Sequence, residues 1–207
     1  MLDKGDRIVM AGDSVTDAGR GRPLGEFSGL GTGYPLFFEA MITANHPQLN
    51  IQVTNSGISG DTSRDLLARF REDVIDLKPQ CVTLLIGVND VWRHFDNRFW
   101  KDQVSLDEYE NNLQQMVKLC KKNDIRLIMM PPFFFEPNKN DAMRHMVDEY
   151  AAAMKKVAEE NELLFIDLQA RIDEHMKYIH PMSITADRVH PDSVSHYIIA
   201  DEIMKKI

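Results

Sequence analysis

An α/β fold built on a mostly parallel sheet is predicted by three observations. Short apolar runs recur at residues 7–11, 51–55, 82–86, 126–130 and 163–167. Segments with apolar residues at helical spacing fill the gaps between them. No internal repeat, low-complexity tract or linker interrupts the alternation. Strands separated by helices imply right-handed βαβ units and a sheet covered on both faces. At 207 residues the chain reads as one domain, 1–207, long enough to bury a core.

The elements follow in order. Arg7-Ile8-Val9-Met10-Ala11 forms the first strand and runs into Gly12-Asp13-Ser14-Val15. The second apolar run ends at Asn55-Ser56-Gly57. Leu66, Phe70, Val74 and Leu77 then keep helical spacing. The third run, entered at Cys81, leads to Gly87-Val88-Asn89-Asp90. Leu106, Tyr109, Leu113, Met116, Val117 and Cys120 predict the next helix, and Ser105 with Glu108 reads as its capping box. After the fourth run, Met143, Met146, Val147, Tyr150, Met154 and Val157 make a third helical stripe. The fifth run follows, and a last helix is expected from Pro191 or Asp192 to the end. Ligands of such sheets bind outside the carboxyl ends of the strands. Ser14, Gly57 and Asn89 each follow a strand, so they are expected to meet on one edge.

Composition narrows the function. The chain is 43% hydrophobic and 27% charged, with a net charge of -8. An acidic balance opposes nucleic acid or an anionic membrane as partner, because both reward basic surfaces. A neutral substrate such as a sugar ester is compatible with it. Met1-Leu2-Asp3-Lys4-Gly5-Asp6 has no apolar leader, and no run approaches the ~18 apolar residues of a membrane span. A cytoplasmic protein is the expectation. Cys81 and Cys120 are read as buried thiols rather than a disulfide, and the twelve methionines as core filler. There is no His-Glu-x-x-His and no cysteine cluster, so no metal or other cofactor is expected.

The chemistry resides in four short blocks. A serine hydroxyl attacks an ester only when a base removes its proton. Ser14 supplies a hydroxyl, although on this motif alone a helix-capping or turn role is the commoner one for Gly-Asp-Ser. The α/β-hydrolase elbow G-x-S-x-G occurs nowhere. Of seven histidines, His190 stands out because Asp187 precedes it by three residues and Pro191 follows. A turn there can bring the carboxylate to one ring nitrogen and leave the other for Ser14. His46, His145, His175 and His180 read as surface residues, and His196 as a packing residue. A tetrahedral oxyanion needs fixed donors. The N–H groups of Ser14 and Gly57 and the Asn89 side-chain amide offer three. Plain turn chemistry remains the alternative for each block alone.

The four blocks in this order resemble the SGNH (GDSL-type) acyl hydrolases, from Ile8 to about Ile203. The resemblance implies a flavodoxin-like three-layer α/β/α sandwich with a central five-stranded, mostly parallel sheet. It implies Ser14 as nucleophile, Asp187 and His190 as acid and base, and Ser14, Gly57 and Asn89 as the oxyanion hole. Asp17-Ala18-Gly19-Arg20-Gly21-Arg22-Pro23, Gly31-Thr32-Gly33-Tyr34, Gly57-Ile58-Ser59-Gly60-Asp61-Thr62 and Asn89-Asp90-Val91-Trp92-Arg93 look like the bacterial acetyl-xylan esterase branch. That branch removes O-acetyl groups from xylan or xylo-oligosaccharides. Two positions depart from the pattern. Ser195 precedes His196 where glycine is common, and Ala186 stands where some xylan-active relatives carry an aromatic residue.

Asp13, Tyr34, Trp92, Arg93 and His94 are the candidate substrate contacts, with core packing an equal reading for Tyr34. The aromatics Trp92, Phe95, Phe99 and Trp100 suit either a substrate wall or a subunit contact in a homo-oligomer. Lacking a long apolar insertion, the chain is expected to prefer a short acyl group. A thioesterase or lysophospholipase with the same triad is the alternative enzyme. A non-catalytic sugar- or nucleotide-binding protein is the alternative class, weakened because Gly19–Gly33 lacks Gly-Lys-Ser/Thr and does not follow a strand.

Overall fold

A computed structural model describes residues 2–96 and 103–207. Five parallel strands form the centre: β1 (Arg7–Gly12), β3 (Gln52–Gly57), β4 (Cys81–Leu85), β5 (Arg126–Met130) and β6 (Leu164–Phe165). A sixth strand, β2 (Gly25–Glu26), pairs antiparallel with β3 at the edge. The order is β2-β3-β1-β4-β5-β6. Without the short edge strand, this is the doubly wound order 2-1-3-4-5 of flavodoxin-like sheets. Its direction reverses between β1 and β4, and the crevice at their carboxyl ends is where such sheets place ligands.

Residue alternation along the strands builds two cores. On β1, Val9 and Ala11 face one side and Ile8 and Met10 the other. The first side is covered by α3 (Ser63–Asp73), α5 (Leu106–Lys122) and α6 (Ala142–Glu160), through Leu66 and Phe70, Leu113 and Met116, and Val147 and Met154. The second is covered by α2 (Tyr34–Asn45), α7 (Leu168–Met176) and α8 (Ser193–Met204), through Phe38, Ile172 and Ile199. Two short helices, α1 (Ser14–Asp17) and α4 (Val88–Trp92), leave the carboxyl ends of β1 and β4.

Helix starts obey their local sequence. Ser105 accepts from the Glu108 N–H, and Asp192 from the Ser195 N–H. Thr62 and Asp65 form a reciprocal capping box at the start of α3. Cys81 and Cys120 are free, buried, and placed in different cores. No helix among the described residues is long and apolar enough to cross a membrane.

Candidate active site

Ser14 lies two residues past the end of β1 and opens α1. Asp13 caps that turn, its Oδ1 accepting from the Val15 N–H at 3.0 Å. The single turn of α1 is too short to hold itself, and it is tied down from below. Asn55, fully buried on β3, donates through Nδ2 to the carbonyls of Thr16 (2.7 Å) and Leu30 (2.8 Å). Asp17 accepts from the N–H and hydroxyl of Ser59, joining α1 to the loop after β3. Burial raises the Asp17 carboxyl, but its bonds from Arg22 and Ser59 outweigh that and hold it below the usual range.

His190 reaches this turn from the other end of the chain. Its Nε2 lies 2.7 Å from Ser14 Oγ, and its Nδ1 lies 2.5 Å from Asp187 Oδ2. Asp187 Oδ1 accepts the N–H groups of Val189 and His190 at 2.9 and 2.8 Å. Burial lifts the Asp187 carboxyl, yet these bonds win and keep it below its ordinary value. A hydroxyl, an imidazole and an ionised carboxylate in series can pass the serine proton to the ring during attack.

The hydrogen-bond donors around Ser14 differ from the expectation in one respect. Gly57 does not offer its N–H, which donates to Asn55 Oδ1 at 2.9 Å. β3 extends through Gly57, pairing it with Gly12, so this glycine belongs to the sheet and not to the loop. A Cβ there would lie 2.2 Å from the Asp17 nitrogen, which is why the position needs glycine. Gly60 is the loop's exposed glycine, at φ +91°. Its N–H has no partner among the described residues, and neither has that of Ser14. Asn89 is buried beside it, one amide hydrogen bound to the Asp61 carbonyl at 2.9 Å and the second left over. Sequence reasoning missed Gly60. The Thr62 capping box, which fixes where α3 starts, was the signal that the preceding loop centres on Gly60.

Arg69 locks these loops together. Its guanidinium donates to Asp61 Oδ2 (2.7 Å) and to the carbonyls of Ser56 (2.9 Å) and Gly12 (3.2 Å). The Ser14 turn and the Gly60 loop are therefore held by one partly buried cation.

The other candidates divide. Tyr34 is fully buried, its hydroxyl 3.0 Å from Thr16 Oγ1, and it packs in the core instead of meeting substrate. Asp13 is 1% exposed, so it too is no substrate contact. Burial pushes its carboxyl up to about 7, with the Asp90 charge adding to the effect. Asp90 itself is pushed up to about 6 by burial, despite the bonds it accepts from Ser63. Trp92 is half-buried, with its ring 6.2 Å from that of His190. Arg93 is half-buried next to the Gly60 carbonyl. His94 donates through Nε2 to the Val104 carbonyl, which occupies that nitrogen. Phe99 and Trp100 lie outside the described residues. His196 is buried, and its Nδ1 accepts the Tyr34 N–H at the start of α2.

Residues 10–196 match the model of the GDSL-like lipase/acylhydrolase family. An acetylxylan esterase of Geobacillus stearothermophilus is 44% identical over 209 aligned positions, which cover 100% of this chain and 95% of that protein. The crystal structure of Axe2, an acetylxylan esterase from the same organism, superposes with a TM-score of 0.96 at 44% identity. The match covers 99% of this chain and 95% of that one. Solved catalytic mutants of Axe2 replace a serine, an aspartate and a histidine by alanine. LAE5, an α/β hydrolase enzyme from the metagenome of Lake Arreo, superposes with a TM-score of 0.94 at 38% identity, covering 99% of this chain and 95% of that one.

Proposed function

The chain belongs to the GDSL-like lipase/acylhydrolase family and is a carboxylic ester hydrolase, and we propose that it removes acetyl groups from acetylated xylo-oligosaccharides through an acetyl-enzyme. The observation that carries the mechanism is the unbroken series from Ser14 Oγ through the His190 ring to Asp187. Ser14 Oγ attacks the acetyl carbonyl as His190 takes its proton at Nε2. Asp187, ionised across the neutral range, holds Nδ1–H and stabilises the imidazolium. The charge that develops on the carbonyl oxygen is met by the N–H groups of Ser14 and Gly60 and the remaining amide hydrogen of Asn89. His190 then protonates the departing sugar oxygen, and a water deprotonated by the same ring hydrolyses the acetyl-enzyme. The base and the oxyanion donors should each contribute roughly 10²-fold or more in rate.

Substrate preference follows from the walls. No long apolar insertion or lid interrupts the four blocks, which favours acetyl over a fatty acyl group. The half-exposed Trp92 ring beside His190 suits the apolar face of a sugar, and Arg93 suits its hydroxyls.

The test is acetate release from acetylated xylo-oligosaccharides, run beside an octanoyl ester, with Ser14→Ala as the blank. Fast deacetylation that depends on Ser14, with slow octanoyl turnover, is the expected result. Retained turnover in Ser14→Ala overturns the nucleophile assignment. A reversed chain-length preference keeps the triad and moves the substrate to lipid or thioester chemistry.

A further inference from the structure

Arg188 stands between the acid and the base, and its backbone φ is +67°. That left-handed conformation is disfavoured for any residue carrying a Cβ. Its consequence is seen in the bonds around it. One carboxylate oxygen of Asp187 receives two successive backbone N–H groups, and the other faces the His190 ring.

The turn is gripped through the arginine itself. Nη1 donates to Glu136 Oε2 at 3.0 Å and to Asp141 Oδ2 at 3.3 Å. The guanidinium carbon sits 4.9 Å from the centre of the Phe134 ring. The Arg188 carbonyl accepts the Phe135 N–H at 2.9 Å. These partners are fixed in turn. Asp141 caps α6 by accepting from the Met143 and Arg144 N–H groups. The buried Arg144 guanidinium donates to the Glu136 carbonyl, Asp148 and Asp173. A continuous polar strut thus runs from α7, through the start of α6, to the turn that carries acid and base.

We propose that Arg188 is a positioning residue for the hydrolysis: held by Glu136 and Asp141 over Phe134, it keeps the turn in the conformation that lets Asp187 grip His190. The proposal rests on the reading of Ser14, His190 and Asp187 as the catalytic series. A residue of this kind acts on the transition state and not on substrate affinity, so it is felt in kcat.

The experiment compares Arg188→Ala, Arg188→Lys, Arg188→Gly and Glu136→Gln with the wild type on acetylated xylo-oligosaccharides, with Ser14→Ala and His190→Ala as controls. Arg188→Ala should lose roughly tenfold to a hundredfold in kcat, with KM within about twofold. Lysine, which keeps a cation for Glu136, should restore most of the rate. Glycine, which enters the left-handed region freely, should restore part of it and serves if the alanine variant folds poorly. Adding Glu136→Gln to Arg188→Ala should cost nothing more. The downfield proton resonance of the His190–Asp187 bond should be sharp in the wild type, broadened in Arg188→Ala and recovered in Arg188→Lys. Full kcat in Arg188→Ala beside inactive controls overturns the proposal alone. A raised KM at unchanged kcat also overturns it and makes Arg188 a substrate contact. Turnover retained by Ser14→Ala or His190→Ala overturns the catalytic reading, and the proposal with it.

Discussion

Replacing Asp13 by asparagine should stabilise the protein at alkaline pH and leave it unchanged at acid pH. The Asp13 carboxyl is buried, and that burial, with the neighbouring charge of Asp90, moves it from 3.8 to about 7. Between about pH 4 and pH 7 the folded protein keeps a proton that the unfolded chain has released. Stability from this residue therefore falls as pH rises through that window and is lost once pH passes the folded value. The gap from 3.8 to about 7, at 1.36 kcal/mol per pH unit, is about 4 kcal/mol. Asparagine preserves the oxygen that accepts from Val15 N–H, and its amide mimics the protonated acid. Urea unfolding of both proteins from about pH 4 to about pH 8 measures the difference. The two stability curves should coincide at the acid end and stand about 4 kcal/mol apart at the alkaline end. Curves that run parallel would refute the burial argument, because only a proton held by Asp13 makes them diverge. KM should not change, since Asp13 has no surface to offer a sugar.

Two further substitutions test other parts of the frame. His196 is lowered from 6.5 to about 4, chiefly by burial, so its protonation favours the unfolded chain. Stability from this residue is present above pH 6.5 and lost as pH falls toward 4, by about 3 kcal/mol. His196→Gln should flatten the acid side of the stability curve, and an unchanged acid slope would count against a neutral buried ring. Gly57→Ala should cost about 2–3 kcal/mol, because its Cβ meets backbone atoms of α1 that can move only with Ser14. A lower melting temperature together with a lower kcat is expected, and wild-type behaviour in both would show that α1 is not packed as described.

What the sequence made legible follows from how strongly each element imposes a pattern. Strands β1, β3, β4 and β5 are buried on both faces along nearly their whole length, so they read as apolar runs bounded by turn residues. Strand β2 imposes no such pattern, being two residues that cover the edge of β3. Helix α2 escaped because it is apolar on more than one side: it packs on the sheet and also against α8, as the Phe37–Tyr197 ring contact illustrates. That hidden helix is why Tyr34 could be mistaken for a substrate contact, since its first turn is driven inward. Ser14, Asp187 and His190 were readable because each stands where a strand has just ended or a helix is about to begin. Gly57 was misplaced by a strand end set two residues early, and a slip of that size moves a backbone N–H from the sheet ladder to the crevice. The Arg188 strut was not readable at all, because its partners lie 47 and 52 residues away and meet only through the packing of α6.

Ser14 and His190 stand 176 positions apart, one at the first strand and the other just before the last helix. During synthesis the growing chain therefore carries Ser14, the Gly60 loop and Asn89 long before His190, the proposed base, has been made. On the proposed mechanism, hydrolysis waits for the segment bearing Asp187 and His190, which the Phe135 N–H holds through the Arg188 carbonyl. On that reading, a chain interrupted before Asp187 would hold Ser14 without its base and release no acetate.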